Sequence, residues 1–312
     1  MSQNIIEYLR EEVIKQILNI PCVKKVWPTW NAKIKTLIPG LTGREIFDLG
    51  DSLREIFYTT NGPRDQGGVS AGGTCWESLV CWYLNLCLIG RRTIVIKHNK
   101  KILPTCVANA ITVNYGSFPS NTESDLIAIT FPDSSDYTID KELISVCNSS
   151  GVAISTHKTK YSKYNMLEIL DALCIRDFND IEIHIIQCKT NWNDNAQIPM
   201  LWDAVYSATT FKSGVTVGRE GHSIADVSKF SYSFVTVPTV QPSRFKKDSI
   251  SVLRVRSLSG GNYWGMKSAD SIANSIKEML SRNLRSGHTS NHITTINAEI
   301  TNLYSTYSYF QL

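Results

Sequence analysis

The sequence predicts an α/β protein, and three stretches predict it. Ile181 to Trp192, IEIHIIQCKTNW, begins as an apolar, β-rich run and ends in a polar burst of Gln187, Cys188, Lys189, Thr190 and Asn191. That is the pattern of a buried strand delivering its last residues to a reactive surface. Asn4 to Leu18 places Ile5, Ile6, Leu9, Val13, Ile14 and Ile17 at helical spacing. A further helix, from about Gln197 to Ala208, follows the strand, so both element types alternate along one chain.

Taken in order, Pro21 to Pro39 reads as a segment broken by prolines and rich in Trp and Lys, and a helix is expected from Thr42, its N-cap, to about Tyr58. The Gly-dense NGPRDQGGVSAGGT reads as a loop. Thr74 then caps a helix from Cys75 to about Leu88, with Glu77 at the N3 position of a capping box. Arg92 to His98 is a strand, Lys101 to Val113 contains another, and Asp125 opens the apolar run Leu126, Ile127, Ala128, Ile129. From about Asp133 to Asp180, helical pieces at Lys141 to Cys147 and Asn165 to Cys174 flank a short strand, GVAIST. Strands are expected again at Gly214 to Gly218, Ser231 to Val237 and Ser249 to Arg256, and a terminal amphipathic helix at Ser268 to Leu284 precedes a Ser/Thr/Asn-rich tail.

Composition narrows the classes. A chain of 312 residues that is 42% hydrophobic holds enough apolar mass for a packed core. The N-terminal stretch mixes charges into its apolar positions, unlike a secretory signal, and no apolar run reaches the roughly 18 to 20 residues of a membrane span. A cytoplasmic protein with no membrane partner is expected. Its eight cysteines form no C-x-x-C pair, which argues against a zinc site of ordinary spacing and against a disulfide framework. His288 and His292 are four apart but fall in SGHTSNH, which reads as loop. The net charge of +4 does not by itself mark a nucleic-acid binder. Local clusters do more: Lys97/Lys100/Lys101, Lys158/Lys160/Lys163, Arg244/Lys246/Lys247 with Arg254/Arg256, and Arg282/Arg285 each make either a solvated surface or a phosphate-facing one.

An acid at the mouth of a buried strand is costly unless it is exposed, paired or holding a metal ion, which singles out Asp125, with Glu123 two residues earlier as a substitute or helper. A Gln-x-Lys at the end of a strand resembles the Q-x-K variant of the PD-(D/E)xK nuclease motif, and the string Ile-Gln-Cys-Lys resembles its Mrr-type branch. The order of a helix carrying Glu77, an Asp strand and a Lys strand is similar to that of the same superfamily.

The resemblance implies a restriction-endonuclease-like α/β core, a mixed central sheet flanked by helices, over roughly residues 70 to 240. The expected organisation is an N-terminal helical region at 1–70, a nuclease core at 71–260 with an insertion at about 133–180, and a C-terminal helix and tail at 261–312. It implies a Mg²⁺-dependent type II restriction endonuclease, a hydrolase acting on double-stranded DNA. Asp125, Gln187, Lys189 and Glu77 are its catalytic residues; Asp125, Glu77 and the backbone carbonyl of Cys188 are its metal ligands. Gln187 places a neutral oxygen where most relatives have a carboxylate, and Lys189 orients or stabilises the attacking water. Asp177 and Asp180 are alternative carboxylates nearer in sequence to Gln187. Lys158, Lys160, Lys163, Arg244, Lys246, Arg254 and Arg256 are the expected DNA contacts. A palindromic site implies a homodimer, and a restriction system implies a cognate DNA methyltransferase. Two other readings keep the core: a modification-dependent Mrr-like nuclease and a non-catalytic DNA-binding protein. No phosphate loop of the form G-x-x-x-x-G-K-[ST] is present to couple a motor.

Overall fold

The computed structural model describes residues 3–60, 66–99, 101–120, 124–158, 163–192, 196–208, 214–238, 242–285 and 290–312. Four helices come first: α1 (Ile5–Leu18), α2 (Pro21–Leu37), α3 (Gly43–Asp48) and α4 (Leu53–Tyr58). There follow α5 (Gln66–Cys87), β1 (Thr93–Lys97), α6 (Thr105–Ala110), β2 (Val113–Tyr115), β3 (Phe118–Ser120), β4 (Leu126–Thr130), β5 (His157–Lys158), β6 (Lys163–Tyr164), α7 (Met166–Arg176) and β7 (Glu182–Lys189). The last part holds α8 (Gln197–Ser207), β8 (Val215–Val217), β9 (Lys229–Thr236), α9 (Ile250–Arg256), β10 (Gly261–Trp264), β11 (Asn274–Ser275), α10 (Ile276–Arg282) and α11 (His292–Glu299).

The expected class is the observed one: a mixed six-stranded central sheet flanked by helices, in the order β1-β4-β7-β9-β10-β11. β1 and β4, and β4 and β7, pair antiparallel; β7, β9, β10 and β11 run parallel. The long β7 lies inside the sheet, where both faces are covered, and this accounts for its loose alternation. On one face α5 reaches β1, where the Asn85 side chain bonds both backbone groups of Val95. On the other, Tyr206 of α8 stacks on Tyr232 of β9. The sheet continues past residue 260, and α1 joins the same continuous core as β1 and α5.

Several local expectations are corrected. Within Pro21 to Pro39, Pro21–Leu37 is one helix, because Pro21 occupies its first turn, where no N–H is needed. The buried row Val23, Trp27, Trp30, Ile34 outweighs the bond lost at Pro28. Thr42 does cap its helix, in a full capping box with Glu45. The glycines before Thr74 are not loop from residue 66 on: α5 begins at Gln66, so Glu77 is internal and freed from capping. Within Lys101 to Val113 the main element is α6, not a strand. Ser249 to Arg256 is helix α9 rather than a strand, since adjacent parallel β9 and β10 need a crossover between them. Lys141 to Leu143 forms only a 3₁₀ turn, and GVAIST contributes a single bridge, Ala153 to Cys147. The terminal helix starts only at Ile276, because Asn274–Ser275 pairs with β10, and His292 begins α11 rather than lying in a loop. Six of the eight cysteines are buried. Among the described residues no helix is long and apolar enough to cross a membrane.

A buried guanidinium ties α1 to the sheet. Arg10, with no exposed surface, donates to Glu7, to Asn85 Oδ1 at 3.1 Å, and to the carbonyls of Arg91 and Thr93. Arg10→Ala is expected to cost about 3–5 kcal/mol, because Glu7 is left buried without its partner. Urea denaturation checks this, and a loss below about 1 kcal/mol would contradict it.

Candidate active site

The β4–β7 ladder places Leu126 opposite Ile186, so Asp125 lies opposite Gln187, one residue before β4 begins. All three donors from β7 converge on one carboxylate oxygen. Asp125 Oδ2 accepts from Gln187 Nε2 and from the Cys188 backbone N–H, each at 2.8 Å, and Lys189 Nζ stands 3.6 Å away. The His98 N–H holds the Asp125 carbonyl at 3.2 Å and ties this corner to β1.

Gln187 and Lys189 share one face of β7, and Cys188 projects to the other. Cys188 is buried and desolvation pushes its thiol pKa up, so it is no nucleophile. Its carbonyl is directed usefully. Lys189 O accepts from Val237 N at 3.2 Å and so faces β9, hence the Cys188 carbonyl faces the opposite edge, toward Asp125. Gln187 is fully buried, and both ends of its amide are engaged: Nε2 on Asp125, and Oε1 accepting from the Tyr232 hydroxyl at 2.7 Å. In this arrangement the Gln187 amide presents its N–H to Asp125 and its oxygen to Tyr232.

Glu77 reaches the cluster from α5 and ion-pairs with Lys97, the last residue of β1. Side-chain exposure of Glu77, Lys97, Asp125 and Lys189 runs from 16% to 23%, low enough to strengthen their interactions yet open to solvent. Burial raises the Asp125 pKa against the opposing pull of Lys189, the Cys188 N–H and Lys97. It raises that of Glu77 as well, opposed by Lys97 and reinforced by the Asp125 charge. The two carboxylates thus act on each other, and two lysines balance them.

Among the described residues no three His, Cys, Asp or Glu side chains gather as a metal centre. The oxygens this corner offers are hard ones: the Asp125 carboxylate, the Glu77 carboxylate near enough to act on it electrostatically, and the Cys188 carbonyl on the β4 side of β7, with an amide oxygen added if Gln187 turns over. Such a sparse set fits Mg²⁺, which binds through one or two carboxylates and keeps several waters. His184 is excluded from any such role. Sealed between Ser231 and Ser233, its imidazole pKa is driven down by burial to about 3.

The remaining expectations divide. Asp177 and Asp180 precede β7 and lie at its far end, about 25 Å from Lys189 at roughly 3.3 Å per residue, so they are not part of the cluster. Asp177 is engaged instead by Arg176 and the Tyr137 hydroxyl. Glu123, Lys160, Lys100 and His288 lie outside the described residues. Lys158 and Lys163 are exposed on the β5–β6 hairpin, Lys158 being 3.8 Å from Glu168. Arg244, Lys246 and Arg256 are exposed, and Arg254 is half-buried on α9. That segment is anchored to the strand of the site: Trp192, three residues past Lys189, packs against Phe245 with tilted rings 4.8 Å apart and donates to Ser251 O at 3.0 Å.

Sequence reasoning missed Lys97 and Tyr232 as members. Lys97 carried the same signal as Gln187 and Lys189, an apolar strand ending in a polar group. Tyr232 carried none, since only the parallel pairing of β7 with β9 brings its hydroxyl to Gln187. No protein-family model matches this chain, and no curated protein matches it.

Proposed function

We propose that this protein is a Mg²⁺-dependent endonuclease of the Q-x-K, PD-(D/E)xK kind, hydrolysing phosphodiester bonds of double-stranded DNA at a specific short site. The observation that carries the reading is the convergence of Gln187, Cys188 N–H and Lys189 on one Asp125 oxygen, with Glu77 arriving from the preceding helix. Asp125, Glu77 and the Cys188 carbonyl would hold the ion. Bound Mg²⁺ would supply charge neutralisation at the scissile phosphate and lower the pKa of a water. Lys189 contributes a fixed ammonium beside Asp125, placed to orient that water and to stabilise the hydroxide it becomes. Lys97 opposes the burial that raises the Glu77 pKa and holds that carboxylate in position.

Arg244 and Lys246 flank Phe245, which Trp192 ties to the site strand, so these cations are the better-supported DNA contacts, with Arg254 and Arg256 on the adjoining helix. As a type II restriction enzyme the protein would work in the cytoplasm, as a homodimer on a palindrome, beside a methyltransferase that protects the same sequence.

Unmethylated and methylated plasmid and phage DNA, incubated with the protein in Mg²⁺ or EDTA, test this. Discrete fragments that require Mg²⁺ and vanish with Asp125→Ala are expected. DNA left intact on every substrate overturns the reading.

A further inference from the structure

Ten large apolar side chains stand exposed among the described residues, and six of them fall on three adjoining elements. Met200 and Leu201 belong to α8, Ile250 and Leu253 to α9, which packs beside it, and Tyr115 and Phe118 to β2 and β3. The β2–β3 pair reaches α8 through Tyr115, whose ring meets that of Trp202 edge-on at 6.2 Å. Phe118 is the ladder partner of Tyr115 and so projects from the same side. Exposure runs from 38% at Met200 to 66% at Phe118 and Ile250, so these side chains present open surface. Contiguous apolar surface of this kind marks an interface.

The centre of the face is α8, and its outer side carries no charge. Gln197, Met200, Leu201, Ala204 and Ser207 are exposed, one stripe at helical spacing. The single charged residue of α8, Asp203, is turned aside to Ser259, accepting from its N–H at 2.9 Å and its hydroxyl at 2.6 Å. A stripe without cations does not suit a DNA backbone, and a stripe without charge of either sign is matched by a surface equally uncharged. The chain itself supplies that surface. In a two-fold pair the same patch meets its own copy, apolar on apolar, and no charge at its centre is buried unpaired. The extent is also sufficient. The 11 residues of α8 span about 16 Å, and neighbours centred roughly 10 Å to either side widen the face to about 30 Å. Two such footprints amount to roughly 1,000 Å², where specific protein interfaces begin.

We propose that two copies of this chain pair through this face, α8 at the two-fold axis, Ile250, Leu253, Tyr115 and Phe118 widening the contact, and Arg256 at the rim. The proposal deepens the nuclease reading, and its purpose rests on that reading. Trp192 ties α9 to the segment following β7, so a pair joined here carries two clusters for the two strands of a duplex.

Sedimentation velocity of the full chain tests the pairing, with circular dichroism and thermal denaturation to show that each variant is folded. The wild type is expected to sediment as a dimer at micromolar concentration. Leu201→Glu and, separately, Ala204→Lys, both at exposed positions, should weaken the dimer about 100-fold or more, because each places two like charges across the axis. Leu143→Glu, 71% exposed and away from the face, should leave it intact. A wild type that sediments as a monomer, or a dimer indifferent to both Leu201→Glu and Ala204→Lys, overturns the proposal. The plasmid assay separates the two readings. DNA cut by a protein whose dimer ignores these substitutions removes the face alone, and a dimer that they dissociate in a protein that leaves DNA intact removes the nuclease alone.

Discussion

Lys189→Ala is expected to slow Mg²⁺-dependent DNA cleavage by about 10³-fold, while the variant remains folded. The side chain is 23% exposed and makes one ion pair, so its removal opens no cavity in the core. What is lost is a fixed positive charge beside Asp125, where the proposed mechanism puts the attacking water, and a single preorganised electrostatic group of this kind is worth about 10²–10³ in rate. A second readout separates this from a generic defect. The Lys189 charge holds the Asp125 pKa down against burial, so the variant carboxylate should titrate higher still. Mn²⁺ binding, followed calorimetrically against pH, should therefore fail at a higher pH in the variant than in the wild type. Cleavage within about threefold of wild type, or an unmoved pH dependence, would remove Lys189 from the role assigned to it.

The raised pKa values of Asp125 and Glu77 also fix the sign of their effect on stability. A pKa above its unfolded value means that the folded chain binds the proton more tightly. Each carboxylate therefore contributes stability that is present at low pH and lost as the pH rises through its folded pKa. Ionised and without a cation, the pair is a liability held in check by Lys97 and Lys189.

Much of this arrangement was legible in the sequence because it depends on adjacent residues. The period-two alternation of Gln187, Cys188 and Lys189 dictates which side chains share a face, and an acid before Leu126–Ile129 has few inexpensive places to be. What was not legible depends on pairing across the sheet. The hydroxyl of Tyr232 reaches Gln187 only because β7 and β9 run parallel in one register, and no local pattern encodes that register. Propensity also misread α9. Val252 and Val255 look like strand residues, but the parallel β9–β10 pair needs a crossover there, and their three-residue spacing fits one buried helical stripe. The same tertiary override carried α5 back through the glycines to Gln66 and turned Glu77 from a cap into a partner for Lys97.

Gln187→Glu should convert this balance into a strong dependence on divalent cations. In the native site the amide N–H satisfies Asp125 while its oxygen satisfies Tyr232. A carboxylate at the same position keeps the Tyr232 bond but sets a second anionic oxygen against Asp125 Oδ2, where a donor stood at 2.8 Å. Two buried like charges cannot both ionise without cost, so one of them should stay protonated until the pH is well above the ordinary carboxylate range. The metal-free variant should lose about 2–4 kcal/mol at neutral pH, the scale of an unpaired buried charge, and regain much of it as the pH falls. Mn²⁺ or Ca²⁺ should restore it, because a cation then lies between two carboxylates, and its affinity should exceed that of wild type by about 10-fold or more. The wild type reaches a comparable ligand only by turning the Gln187 amide over, a rotation that the Tyr232 hydroxyl tolerates because it both donates and accepts. Thermal denaturation of both proteins in EDTA and in Mn²⁺, across pH, distinguishes the outcomes. A variant destabilised equally with and without cation would show that Gln187 braces Asp125 and does not stand at a metal position.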